Sequence, residues 1–101
     1  MASKTIIGLD LGGTKTAVAR YDAETWAIQA KEKISTRAKE GFQTVFEDAL
    51  ALIDKHRAAD TVAVGIGVPG LLRQPEGFLL NTPNIPGGRD IPLKKLLEER
   101  L

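Results

Sequence analysis

A mixed α/β fold, with three antiparallel strands in sequence, a crossover helix and a parallel strand, is predicted by three observations. Short apolar runs separated by turn residues occupy the chain as far as Ile34. One stretch with a repeat near 3.6 follows, from about Gly41 to His56. The β-branched run Thr61–Val68 comes directly after it. At 101 residues there is room for one small domain.

The elements can be justified in order. Ile6, Ile7, Leu9 and Leu11 make an apolar run short enough for a buried strand. Gly12-Gly13 are expected to supply the positive φ angles of a two-residue hairpin turn, and Ala17, Val18 and Ala19 start the return strand. Tyr21–Thr25 reads as a second turn. Trp26, Ile28, Ala30 and Glu32 then alternate with Ala27, Gln29, Lys31 and Lys33, which predicts a half-exposed third strand near a sheet edge. The period changes at Phe42, Val45, Phe46, Ala49, Leu50 and Ile53, which share one helical face, with Glu47, Asp48, Asp54 and Lys55 on the other. His56 suits the negative end of that helix. A lone histidine without a second ligand candidate reads as structural. Thr61–Val68 is expected to be a buried strand parallel to the first, and Phe78-Leu79-Leu80 a short extra one. Pro92 at N1 opens a second helix whose stripe is Leu93, Leu96, Leu97 and Leu101.

The first turn is where chemistry concentrates. Asp10 ends the first strand two residues before the glycines, and Thr14 and Lys15 follow them. Unshielded backbone N–H groups, a hydroxyl and an ammonium would face one place, which suits phosphate. A carboxylate beside them suits a water-clad Mg²⁺. An ordinary surface hairpin would give the same local pattern.

Two familiar phosphate motifs are excluded. The P-loop needs G-x-x-x-x-G-K-[ST] opening a helix, and Gly12-Gly13-Thr14-Lys15-Thr16 lacks the spacing and leads into a strand. Gly65-Ile66-Gly67-Val68-Pro69-Gly70 is a literal G-x-G-x-x-G, but Pro75 and Gly77 forbid the helix that a dinucleotide fingerprint must open.

The net charge of +1 argues against an electrostatic nucleic-acid binder. No apolar run reaches the length of a membrane span. Met1-Ala2-Ser3-Lys4 is expected to run straight into the first strand with no signal peptide, which makes a cytoplasmic location the expectation. The absence of cysteine removes disulfides and thiolate metal sites.

Ile7-Gly8-Leu9-Asp10-Leu11-Gly12-Gly13-Thr14-Lys15, then Val64-Gly65-Ile66-Gly67-Val68-Pro69-Gly70, then Asn81-Thr82-Pro83-Asn84-Ile85-Pro86-Gly87, together with the β-β-β-α-β order, resemble the N-terminal lobe of ROK-family sugar kinases. The resemblance covers nearly the whole chain, and its specificity lies in three motifs in order. It implies the ribonuclease-H-like, actin-like ATPase fold, with residues 1–101 as an incomplete N-terminal lobe that lacks a second lobe. It also implies ATP-dependent phosphorylation of a hexose or amino-hexose, with ATP and Mg²⁺ as cofactors. Asp10 would sit near Mg²⁺ through water, and Gly12, Gly13, Thr14 and Lys15 would line the phosphate side. Gly67, Gly70 and Asn84 would border the sugar, since small residues let a hydroxyl meet backbone and a carboxamide both donates and accepts. Ordinary turn chemistry beside Pro83 and Pro86 is the other reading of Asn81 and Asn84.

The sequence also departs from the family. The family's catalytic aspartate lies in an Asn-Asp segment after the second helix, and this sequence stops at Leu101 before it. The Glu/His sugar contacts, the Cys/His zinc motif and the adenosine lobe are missing as well, so no residue here is assigned as catalytic. Only Met1–Lys4 precede the glycine motif, which argues against a family repressor with a helix-turn-helix. The chain alone is therefore expected to lack turnover and to self-associate through a free edge of the Thr61–Val68 strand or through the final helix. A non-catalytic nucleotide- or sugar-binding half-domain, and a non-kinase actin-like ATPase, remain open readings, as does polyphosphate as donor.

Overall fold

The computed structural model describes residues 4–101; the expectation for residues 1–3 lies outside the described residues. The strands β1 (Thr5–Leu11), β2 (Lys15–Asp22) and β3 (Ile28–Ser35) form the antiparallel meander, and the helix α1 (Phe42–His56) crosses over to β4 (Thr61–Gly67). These strands make one sheet in the order β3-β2-β1-β4, with β4 parallel to β1. This is the mixed α/β arrangement expected from the sequence.

Strand alternation puts Ile7, Leu9 and Leu11 of β1 and Val18 of β2 on one buried face. Onto it α1 lays Phe42, Val45, Phe46, Ala49, Leu50 and Ile53, the residues the helical period selected, joined by Leu52. Ile7 and Ile53 are fully buried, so truncating either to alanine removes about 2–5 kcal/mol.

Both ends of α1 are tied to their surroundings. At its start no side chain among the described residues caps the helix; the Phe42 N–H donates to the Pro86 carbonyl at 2.7 Å, and Gly41 turns the chain in at φ +94°. At its end the Arg20 guanidinium donates to the His56 carbonyl at 2.8 Å. His56 Nε2 and Lys55 Nζ each lie 2.8 Å from Glu32 Oε1 on β3. His56 thus joins the helix to the sheet, in a structural position.

A second, smaller sheet follows, made of β5 (Leu71–Arg73), β6 (Phe78–Asn81) and β7 (Arg89–Ile91), antiparallel in the order β5-β6-β7. The helix α2 (Leu93–Arg100) comes next. Leu79, Ile85 and Leu93 are buried in the same core as α1. Arg100 forks onto Glu47 at 2.8 and 2.9 Å and clips α2 to α1.

Three expectations are corrected. β4 is not a buried strand: among the described residues it pairs with β1 on one side only, and Val62 is 56% exposed. Its apolar run reads as burial, but burial needs neighbours on both sides. The third strand begins at Ile28, because Trp26 stands in the turn at φ +62° with its ring against the edge of Tyr21. Pro92 is the residue before the first helical turn of α2 rather than its first member, since its ψ of 71° is not helical.

Candidate functional site

The turn between β1 and β2 is tighter than its two glycines suggest. The Gly12 N–H donates to the Lys15 carbonyl at 3.0 Å, so Gly13 and Thr14 are the corners. Neither glycine has a positive φ, which corrects the reason expected for them. Gly12 is required for closeness instead: a β-carbon there would stand 2.5 Å from the Lys15 carbonyl oxygen. The N–H groups of Gly13 and Thr14 donate to no acceptor among the described residues. Two adjacent free donors at an exposed corner are a ready anion contact.

Thr36, just past β3, holds this turn. Its N–H donates to the Thr14 carbonyl at 2.8 Å and its hydroxyl to the Gly12 carbonyl at 2.8 Å. Thr16 Oγ1, in a buried residue, lies 2.7 Å from Thr36 Oγ1. The sequence motifs did not single out Thr36. The available signal was Thr16, a polar residue on the inward parity of β2, which must find a partner.

Asp10 is exposed at the carboxyl end of β1, opposite Ala17 of β2 and Gly67 of β4. Its carboxylate takes no hydrogen bond or ion pair among the described residues. A β-carbon on Gly67 would lie 3.5 Å from Asp10 Oδ1, so glycine keeps the space beside the carboxylate open. The carboxyl ends of parallel strands are where open α/β sheets bind ligands. Among the described residues no three His, Cys, Asp or Glu side chains converge. A lone carboxylate fits a Mg²⁺ that keeps most of its water and takes phosphate oxygens, and it does not fit a cage made of protein ligands.

The 81–88 segment is brought to the same end. The Thr82 N–H and hydroxyl both donate to the Gly88 carbonyl, at 2.7 and 2.9 Å, and Ile85 is buried beneath. That loop presents Asn84, whose Nδ2 would lie 3.9 Å from a β-carbon on Gly13. Gly70 packs so closely on the Asn81 carbonyl that any side chain would overlap it. Thus Asp10 meets Gly67, Gly13 meets Asn84, and Gly70 meets the start of the Asn84 loop. Lys15 is the exception: its Nζ donates to Ser35 Oγ at 3.2 Å, along the sheet. These residues form an open surface. A groove of about 1170 Å³ lies elsewhere, between β4, the end of α1 and α2, with Val62, Val64 and Ile66 in its wall.

Comparison with known proteins follows the same lines. The model of the ROK family matches residues 6–101. The chain is similar to a glucokinase of Halalkalibacterium halodurans, 31% identical over 98% of this chain and 31% of that protein. It is similar to an N-acetyl-D-glucosamine kinase of Pectobacterium atrosepticum, 37% identical over 93% of this chain and 31% of that protein. Its fold matches a ROK hexokinase from Thermus thermophilus with a TM-score of 0.78 and 33% identity, covering 95% of this chain and 32% of the other. It also matches a ROK family glucokinase from Streptomyces griseus, solved with glucose and AMPPNP, with a TM-score of 0.75 and 32% identity over 96% and 30%. The chain spans about a third of the length of the curated relatives it matches.

Proposed function

Because this chain belongs to the ROK family, we propose that it forms the amino-terminal part of an ATP-dependent sugar kinase that phosphorylates a hexose or amino-hexose. The observation that carries the proposal is the juxtaposition at one sheet end of an unpaired carboxylate, two free backbone donors and the Asn84 carboxamide. The Gly13 and Thr14 N–H groups and the Thr14 hydroxyl bind and orient phosphate oxygens, with Gly12 making the approach possible. Asp10 would hold a Mg²⁺ through water, and that ion, when bound, would offset charge on the phosphoryl oxygens. Gly67, Gly70 and Asn84 border the sugar, and Lys15 adds positive charge from the sheet. Glucokinases and an amino-sugar kinase among the relatives support this substrate class. The Streptomyces relative with glucose and AMPPNP supports the paired ligands.

No residue of this chain is placed as the base for the sugar hydroxyl, so the 101-residue chain alone is expected to show no turnover. General-base catalysis contributes roughly 10²–10⁴-fold. We also expect the chain, of cytoplasmic location, to associate with itself through β4. A chimera tests the activity: residues 1–101 replace the matching third of the Halalkalibacterium glucokinase. ATP-dependent phosphorylation of glucose or an amino-hexose, abolished by Asp10→Ala, is the expected result. A folded chimera that binds neither nucleotide nor sugar would overturn the reading.

A further inference from the structure

The two carbonyls that flank Gly13 in the turn both end on Thr36: Gly12 C=O on its hydroxyl and Thr14 C=O on its N–H, each at 2.8 Å. The hydroxyl proton of Thr36 is used on Gly12, so the 2.7 Å contact with Thr16 is filled by the Thr16 hydroxyl donating to Thr36 Oγ1. Thr36 is itself anchored. Its neighbour Arg37 forks onto Asp48 of α1, Nε to Oδ2 at 2.9 Å and Nη2 to Oδ1 at 2.8 Å. A carbonyl pinned inward fixes the plane of its peptide, and with it the direction of the N–H on the next residue. Holding Gly12 C=O therefore aims the Gly13 N–H, and holding Thr14 C=O fixes the corner on its other side.

We propose that Thr36 is a positioning residue that presets the Gly13 and Thr14 donors for phosphate, and that it never touches the ligand. This rests on the phosphate reading of the turn. Preorganised donors bind an anion without the cost of ordering them at the moment of binding. Thr36→Val keeps the shape of the side chain and removes the hydroxyl, while Thr36→Ser keeps the hydroxyl.

The test is nuclear magnetic resonance on the 101-residue chain, first free and then titrated with magnesium tripolyphosphate. In the free chain, Thr36→Val is expected to raise fast backbone motion at Gly13 and Thr14 but not in the β1–β2 ladder. The titration is expected to show tripolyphosphate affinity about 3- to 10-fold weaker in Thr36→Val, the worth of one net hydrogen bond. Thr36→Ser restores both. If Thr36→Val does not fold, Thr16→Val, which removes only the hydroxyl behind Thr36, loosens the same two amides. Unchanged motion, or loosened amides with unchanged affinity, overturns the positioning role and leaves the phosphate reading standing. Wild-type Gly13 and Thr14 amides that ignore tripolyphosphate overturn the phosphate reading and this role with it.

Discussion

Asn84 Nδ2 stands 3.9 Å from where a β-carbon on Gly13 would be, so the 81–88 loop and the glycine turn share one surface. Because Gly13 has no positive φ, alanine fits its backbone and its methyl group would make ordinary contact with Asn84. Gly13→Ala is therefore expected to leave stability within about 1 kcal/mol of wild type. Gly13→Val places a branched carbon between the free N–H groups and Asn84, and nucleotide affinity is expected to fall far more than sugar affinity. Paired titrations with magnesium AMPPNP and with glucose read the difference; equal losses for both ligands would show that the turn does not face phosphate.

Gly12 and Gly65 should separate steric need from open space. A β-carbon on Gly12 meets the Lys15 carbonyl oxygen at 2.5 Å, whereas one on Gly65 meets nothing within 4 Å. Gly12→Ala is expected to destabilise by about 1–3 kcal/mol through crowding. Gly65→Ala is expected to stabilise by about 0.4–1 kcal/mol through a less flexible unfolded chain. Urea midpoints of the two variants are the measurement, and equal effects would count against the turn geometry.

Acid should loosen the seam between β3 and α1. Hydrogen bonding from Lys55, then from His56, holds the Glu32 carboxyl below its ordinary value. A group whose pKa is lower when folded adds stability above its unfolded pKa and loses it as pH falls through the folded one. Glu32→Gln is thus expected to be less stable than wild type at neutral pH and to converge with it in acid. Denaturant midpoints across pH check this; a gap that persists in strong acid would place the effect elsewhere.

The two edges of the main sheet differ in a way that sets association. β3 carries exposed Lys31 and Lys33, which discourage strand pairing, while β4, Thr61–Gly67, carries no charge and no partner strand on its outer side among the described residues. We expect the 101-residue chain to pair β4 edges between copies and Val62→Lys to reverse it. Sedimentation velocity over a concentration range reads the outcome. A monomer at high concentration whose 61–67 amides are protected from exchange would rule out this edge.

Much of this was legible in the chain. The meander and α1 follow from periodicities of two and 3.6, because one sheet face and one helix stripe bury each other. Asp10 and Gly13 stand out because strand ends and turn residues carry local signatures, whereas Gly67 enters only through the family resemblance. β5 and β7 were not, since three-residue strands such as Arg89-Asp90-Ile91 are too short to show alternation. The exposure of β4 depends on which strands flank it, and no local pattern encodes that. Thr36 escaped because its partners, Gly12, Thr14 and Thr16, are set by register across β2 and β3 rather than by neighbours in sequence.

The pairing of β1 with β4 has a consequence for how the site comes into being. Thr5 and Thr61 meet across 56 positions, whereas β1, β2 and β3 join through adjacent turns. Closing a long loop before its contacts form is the slow event in folding, so the meander and its donor-bearing corner assemble first. The space beside Asp10 exists only once Gly67 arrives with β4. A chain caught partway then carries the donor-bearing corner and Asp10 without the Gly67 backbone beside the carboxylate, and local opening would undo the two halves in the reverse order.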